Sequence, residues 1–70
     1  MNRICAERHL KDMTQTDLAN SIEVDKSTIV RWEGGGDISQ KHIEKMRELF
    51  GCDADWLLGL SSERRNMTGT

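Results

Sequence analysis

Apolar residues recur at spacings of three and four along most of the chain, and no stretch alternates polar with apolar, so the pattern predicts helices joined by short connections. Residues 2–12 are the least regular candidate: Ile4 and Arg8 share a face, Met13 closes the segment, and the remainder is polar. Thr14, with Asp17 three positions on, forms a capping-box-like pair that opens a second helix over 15–21, with Leu18, Ala19 and Ile22 as its apolar face. Residues 23–25 read as a tight turn. Asp25 is placed to cap a third helix over 26–32, in which Ile29 and Trp32 share one face. Gly34-Gly35-Gly36 ends it, because glycine is costly inside a helix and tolerant of left-handed backbone angles. Ser39 caps a fourth helix over 40–50, whose inward stripe is Ile43, Met46, Leu49 and Phe50 and whose stop is Gly51. Asp53 caps a brief fifth over 54–58, ended by Gly59.

The expected fold is therefore all-α: a compact bundle of five short helices over residues 1–60, followed by a flexible polar tail, 61–70, that lacks a hydrophobic face. At 70 residues the chain has room for one domain, with Trp32, Phe50 and Trp56 assigned to its small core. No apolar run approaches a membrane span, and Glu7 falls where a signal peptide needs apolar residues, so a soluble cytoplasmic protein is expected. Cys5 and Cys52 form no CxxC pair and lie far in sequence from His9 and His42; buried or half-buried free thiols are the expectation, with no metal. Nothing in the chain resembles a nucleophile–base–orienter set or a phosphate-cradling glycine loop, so neither an enzyme nor a cofactor or small-molecule site is expected.

The informative stretch runs from Thr14 to Glu33. Two short helices separated by so tight a turn meet at a steep angle, with the small Ala19 where they cross; that is helix-turn-helix geometry, which projects its second helix outward. Met13-Thr14-Gln15-Thr16-Asp17-Leu18-Ala19, then Val24 through Glu33, then Leu49-Phe50-Gly51-Cys52-Asp53 and Asp55-Trp56-Leu57-Leu58-Gly59 resemble the Cro and repressor DNA-binding domains of lambdoid phages. The resemblance runs from about Arg3 to Gly59 and implies a lambda repressor-like domain that binds double-stranded DNA.

It also implies roles for single positions. Gln15 matches the residue that grips a phosphate at a helix start. Lys26, Ser27 and Arg31 match side chains that reach base edges; lysine and arginine suit guanine O6 and N7, and either could bind phosphate instead. Thr28 stands beside them, able to bring a methyl to thymine or a hydroxyl to phosphate or to serve only as helix surface, and Lys41 falls where a basic residue meets the DNA backbone. Asp25 reads as a cap before it reads as a partner for cytosine. Arg8 and Glu33 match an internal salt bridge. With Glu33 neutralised and Lys26, Arg31 and Lys41 on one face, a net charge of −2 is compatible with DNA, the acids falling mainly on the far helices. Three departures stand out: Glu23 where the family usually has glycine, no basic residues over 34–40, and Glu7, His9 and Lys11 at positions of the first helix that are commonly apolar.

Taken together the resemblance points to a Cro-like repressor, with no room for a further C-terminal domain. It would bind a pseudo-palindromic operator as a weak homodimer through Trp56, Leu57, Leu58 and Leu60 and block RNA polymerase; burial of Trp56 and Leu57 inside one subunit is the competing reading of those two. The alternative function is an antitoxin-like or regulatory protein-interaction module.

Overall fold

In the computed structural model, which describes residues 1–65, five helices follow one another as α1 (Ile4–Leu10), α2 (Gln15–Ile22), α3 (Lys26–Glu33), α4 (Gln40–Phe50) and α5 (Ala54–Leu57), with no strand among the described residues. The bundle measures 32 × 21 × 20 Å. The second and third helices pack most closely on each other; α1 lies against α3, while α4 bridges α2 and α5.

Two helix starts are closed by side-chain caps. At the start of α2 the Thr14 hydroxyl accepts the Asp17 N–H at 3.0 Å, and the Asp17 carboxylate accepts the Thr14 N–H at 2.9 Å, so the capping box closes in both directions. Asp53 likewise accepts the Trp56 N–H at the start of α5. Asp25 and Ser39 occupy the cap positions of α3 and α4 with the expected extended backbone, yet neither side chain makes the cap bond. The Ser39 hydroxyl pairs instead with His42 Nδ1 at 2.7 Å, while Asp25 stays exposed. The first helix begins at Ile4 rather than Asn2, because the Asn2 side chain turns back: its Oδ1 accepts the Ile4 N–H and its Nδ2 donates to the Trp32 carbonyl.

The core is built from one or more residues of every helix: Ile4, then Leu18, Ala19 and Ile22, then Ile29 and Trp32, then Met46 and Phe50, then Leu57, with Cys52 between the last two helices. Ala19 is buried, and both Glu23 and Val24 donate their N–H groups to its carbonyl. Burial raises the pKa of the Cys52 thiol, whereas Cys5 is exposed on α1, against the expectation that both thiols would be sheltered. Gly59 has φ of +79°, and a Cβ there would overlap the Met1 carbonyl, so only glycine fits between the end of α5 and the N-terminal residue.

The largest departure from the expected pattern concerns the segment after α5. Residues 61–65 run back over the domain, and Arg64 closes on Glu7, a carboxylate only 2 % exposed. Arg64 Nε and Nη2 reach the two Glu7 oxygens at 2.9 Å each, Nη2 also donates to the Phe50 carbonyl, and Trp56 Nε1 donates to Glu7 at 2.8 Å. Asp53 accepts the Arg65 N–H and donates its own to the Arg65 carbonyl. The sequence ends the domain at residue 60 because two arginines in a polar stretch give no sign of a buried partner; the rest of the expected tail, residues 66–70, lies outside the described residues.

Glu7 titrates below the ordinary glutamate value because hydrogen bonding to Arg64 outweighs the opposing cost of burial. Asp17 is lowered by the Thr14 N–H and Asp53 by the Arg65 N–H. A carboxylate whose folded pKa is depressed stabilises the fold above its unfolded pKa, and that contribution is lost as pH falls through the folded value. The melting temperature is therefore expected to hold from neutral pH to about pH 5 and to fall as pH drops below the ordinary Glu7 value of 4.5. Thermal melts across pH for Glu7→Gln should show a lower neutral plateau and a shallower acid limb than the parent.

The turn after α2 carries local strain. Glu23 adopts the left-handed conformation, φ 61° and ψ 52°, which an L side chain enters at a cost of about 1 kcal/mol. Its carboxylate lies 3.8 Å from Lys45 Nζ at an exposed site, a contact worth too little to offset that cost. Glu23→Gly should raise the melting temperature by roughly 4–8 °C, measured by circular dichroism; a lowered value would mean that the turn is not held left-handed in solution.

Candidate nucleic-acid interface

The outward side of α3 is set by the inward side. Ile29 and Trp32 are buried, and at 3.6 residues per turn the opposite surface is formed by Ser27, with Val30 and Arg31 on its two flanks and Lys26 beside Val30. All four are exposed, and Thr28 is half-buried at the margin. Lys26, Ser27 and Arg31 thus lie on the free face of one helix, as their spacing implies. Val30, 49 % exposed, joins them there; among the described residues it is the one exposed large apolar side chain on α3. A β-branched residue between lysine and arginine in sequence reads by default as a buried helix position, which is why it does not stand out before the helix is oriented.

Arg31 is steadied from behind. The Gly36 N–H donates to the Arg31 carbonyl at 2.9 Å, and a Cβ on Gly36 would lie 2.8 Å from Arg31 Cγ. The glycine loop therefore wraps the stem of Arg31 closely, aided by φ of +103° at Gly35. Further along, the His42 ring stacks at a tilt against Trp32, centroids 5.1 Å apart, where the fourth helix begins; Lys41 is exposed beside it.

The orientation of α3 is fixed at its C-terminal end by an almost dry ion pair. Arg8 Nε donates to Glu33 Oε2 at 2.9 Å and Nη2 to Oε1 at 3.3 Å, with the side chains 9 % and 12 % exposed. Arg8 Nη1 donates to the Met13 carbonyl at 2.9 Å, which secures the turn containing left-handed Asp12. Gln15 Nε2 completes the group by donating to Glu33 Oε1 at 3.1 Å. Hydrogen bonding to Glu33 raises the pKa of the Arg8 guanidinium. One amide N–H of Gln15 is thus spent on Glu33.

The four apolar side chains expected to meet a second copy differ in burial. Leu57 is fully buried in its own subunit's core and cannot face a partner. Trp56 is half-buried, its ring covered by the Arg3 guanidinium 3.8 Å from the centroid and its Nε1 committed to Glu7. Leu58 is half-buried and Leu60 is 75 % exposed.

A family model for helix-turn-helix domains matches residues 6–57, nearly three quarters of the chain. The protein belongs to the helix-turn-helix family. No curated protein and no solved structure matches it. Family membership makes it a DNA-binding regulator of transcription in outline, and within the helix-turn-helix unit α2 and α3 are the two helices of the motif. Among the described residues no helix is long and apolar enough to cross a membrane, and no cluster of three or more His, Cys, Asp or Glu is placed to hold a metal ion.

Removing either partner of the Arg8–Glu33 pair strands the other in a site with little water. Arg8→Ala and Glu33→Ala should each destabilise the domain by about 3 kcal/mol, far more than an exposed pair would. Urea unfolding of both single variants and the double variant measures this; a double variant no worse than either single confirms that the two charges act as a unit.

Proposed function

We propose that this helix-turn-helix protein is a Cro-like repressor that reads a pseudo-palindromic operator in double-stranded DNA as a homodimer and blocks access of RNA polymerase. The observation that carries the reading is the free outer face of α3, on which Lys26, Ser27 and Arg31 stand clear of the core while Glu33, the acid nearest them on that helix's last turn, is neutralised by Arg8. Lys26 and Arg31 donate to guanine O6 and N7 in the major groove, and Ser27 tolerates either donor or acceptor. Gln15, the N–H groups opening α2, Thr28 and Lys41 contact phosphates and set the docking register.

A single domain of this size covers half an operator, so two copies lie on half-sites about 34 Å apart. The self-contact centres on Leu60 and Leu58 with the outer edge of Trp56. So small an apolar patch gives a dimer that forms chiefly on DNA.

Selection of bound sequences from a random duplex pool, followed by gel-shift titration on the selected site, tests this. Binding should weaken with salt at roughly 0.9 log units per phosphate neutralised. Lys26→Ala and Arg31→Ala should each cost about 1–3 kcal/mol and relax selectivity at particular base pairs, whereas Lys41→Ala should weaken all sequences alike. No DNA affinity together with tight binding to the product of a neighbouring gene would replace this reading with a protein-interaction module.

A further inference from the structure

We infer that Val30 is a specificity-determining residue that reads the C5-methyl group of a pyrimidine in the major groove. The inference rests on the reading of α3 as the DNA-reading helix and adds a residue and a chemical feature to it.

Three observations carry it. Val30 is half exposed on the outer face of α3, although every other large apolar side chain of that helix is buried. It sits one helical turn from Lys26 and beside Arg31, so any duplex that meets those two cations also covers Val30. Nor is it covered within its own subunit: the glycine loop that follows α3 closes on the Arg31 stem instead, on the other flank of Ser27.

A branched hydrocarbon on a polar helix face gains free energy only when an apolar surface displaces its water. The floor of the major groove is otherwise a field of donors and acceptors. Its one apolar feature is the methyl group on C5 of thymine, which 5-methylcytosine shares. With Lys26 and Arg31 reaching guanines, Val30 meets such a methyl at a base step adjoining theirs.

The test uses the full chain and the operator selected from the random pool. Each thymine is replaced in turn by deoxyuridine, which removes the methyl and leaves every hydrogen-bonding group in place. The parent protein should lose roughly four-fold in affinity at one thymine per half-site, the value of one buried methyl group. Val30→Ala, which loses the contact in both half-sites, should bind the unmodified operator roughly 16-fold more weakly and show no further loss at that thymine, while keeping its response to base-pair changes elsewhere. If no thymine has this effect but methylating one cytosine strengthens binding by the parent and not by Val30→Ala, the methyl read is that of 5-methylcytosine. A selective operator on which Val30→Ala and the parent respond alike to every methyl removed or added overturns the inference and leaves the repressor reading intact. Failure to select any operator defeats the repressor reading itself.

Discussion

The Arg8 guanidinium does for this bundle what a large core does for a bigger one. It reaches from α1 to Glu33 on the last turn of α3, and through that carboxylate to Gln15 at the first turn of α2, while its remaining arm holds the Met13 carbonyl. Four pieces of chain are fixed by one planar group whose donors match a carboxylate in two places. Such a pair adds little net stability over an apolar replacement, but it is intolerant of misalignment, since a charge shifted from its partner stays largely dry and unpaired. Directionality is what a core of mostly small or aliphatic side chains lacks. The angle at which α3 leaves the bundle is therefore set by hydrogen bonds as much as by packing.

Its neighbour on the helix plays the mirror role. Glu7 and Arg8 are adjacent in sequence, of opposite charge and both buried, and each closes on a different partner, Arg64 and Glu33. One anchors α3; the other gathers the end of α4, the Trp56 indole and the returning chain around a single carboxylate. Arg3 adds a third tie from the same region, stacking on Trp56 and donating to its carbonyl at 2.7 Å. The first helix has only Ile4 as a buried apolar residue, and these ionic links substitute for the hydrophobic stripe that it lacks.

That substitution explains what could and could not be read from residue order. The fourth helix is legible to the residue, because its four apolar positions recur at helical spacing and Gly51, at φ 69°, takes the left-handed stop. The capping box at Thr14 and Asp17 is a local signal and forms as written. The left-handed turn at Glu23 is legible only through the resemblance, as a glycine position filled by something else. Glu7 was hidden, because a glutamate among charged neighbours on a short helix looks like solvated surface, and its partner lies 57 positions away. Asp25 shows the converse: residue type and position both suit a cap, yet the bond is not made. For the site, residue type marked Lys26 and Arg31, whereas Val30 became visible only when the buried side of α3 had been located.

The strap formed by residues 61–65 has a bearing on where this domain ends as a physical object. The family match stops at Leu57, but trimming Arg64 would take the counter-charge from the buried Glu7 carboxylate, which would then pay for its burial or take up a proton. The same holds at the front, where Asn2 and Arg3 precede the matched region yet tether it at two points. Fusion junctions and protease sites are thus best set outside residues 2–65, and a recombinant fragment cut to the homology boundaries would misreport both the robustness and the shape of the intact unit.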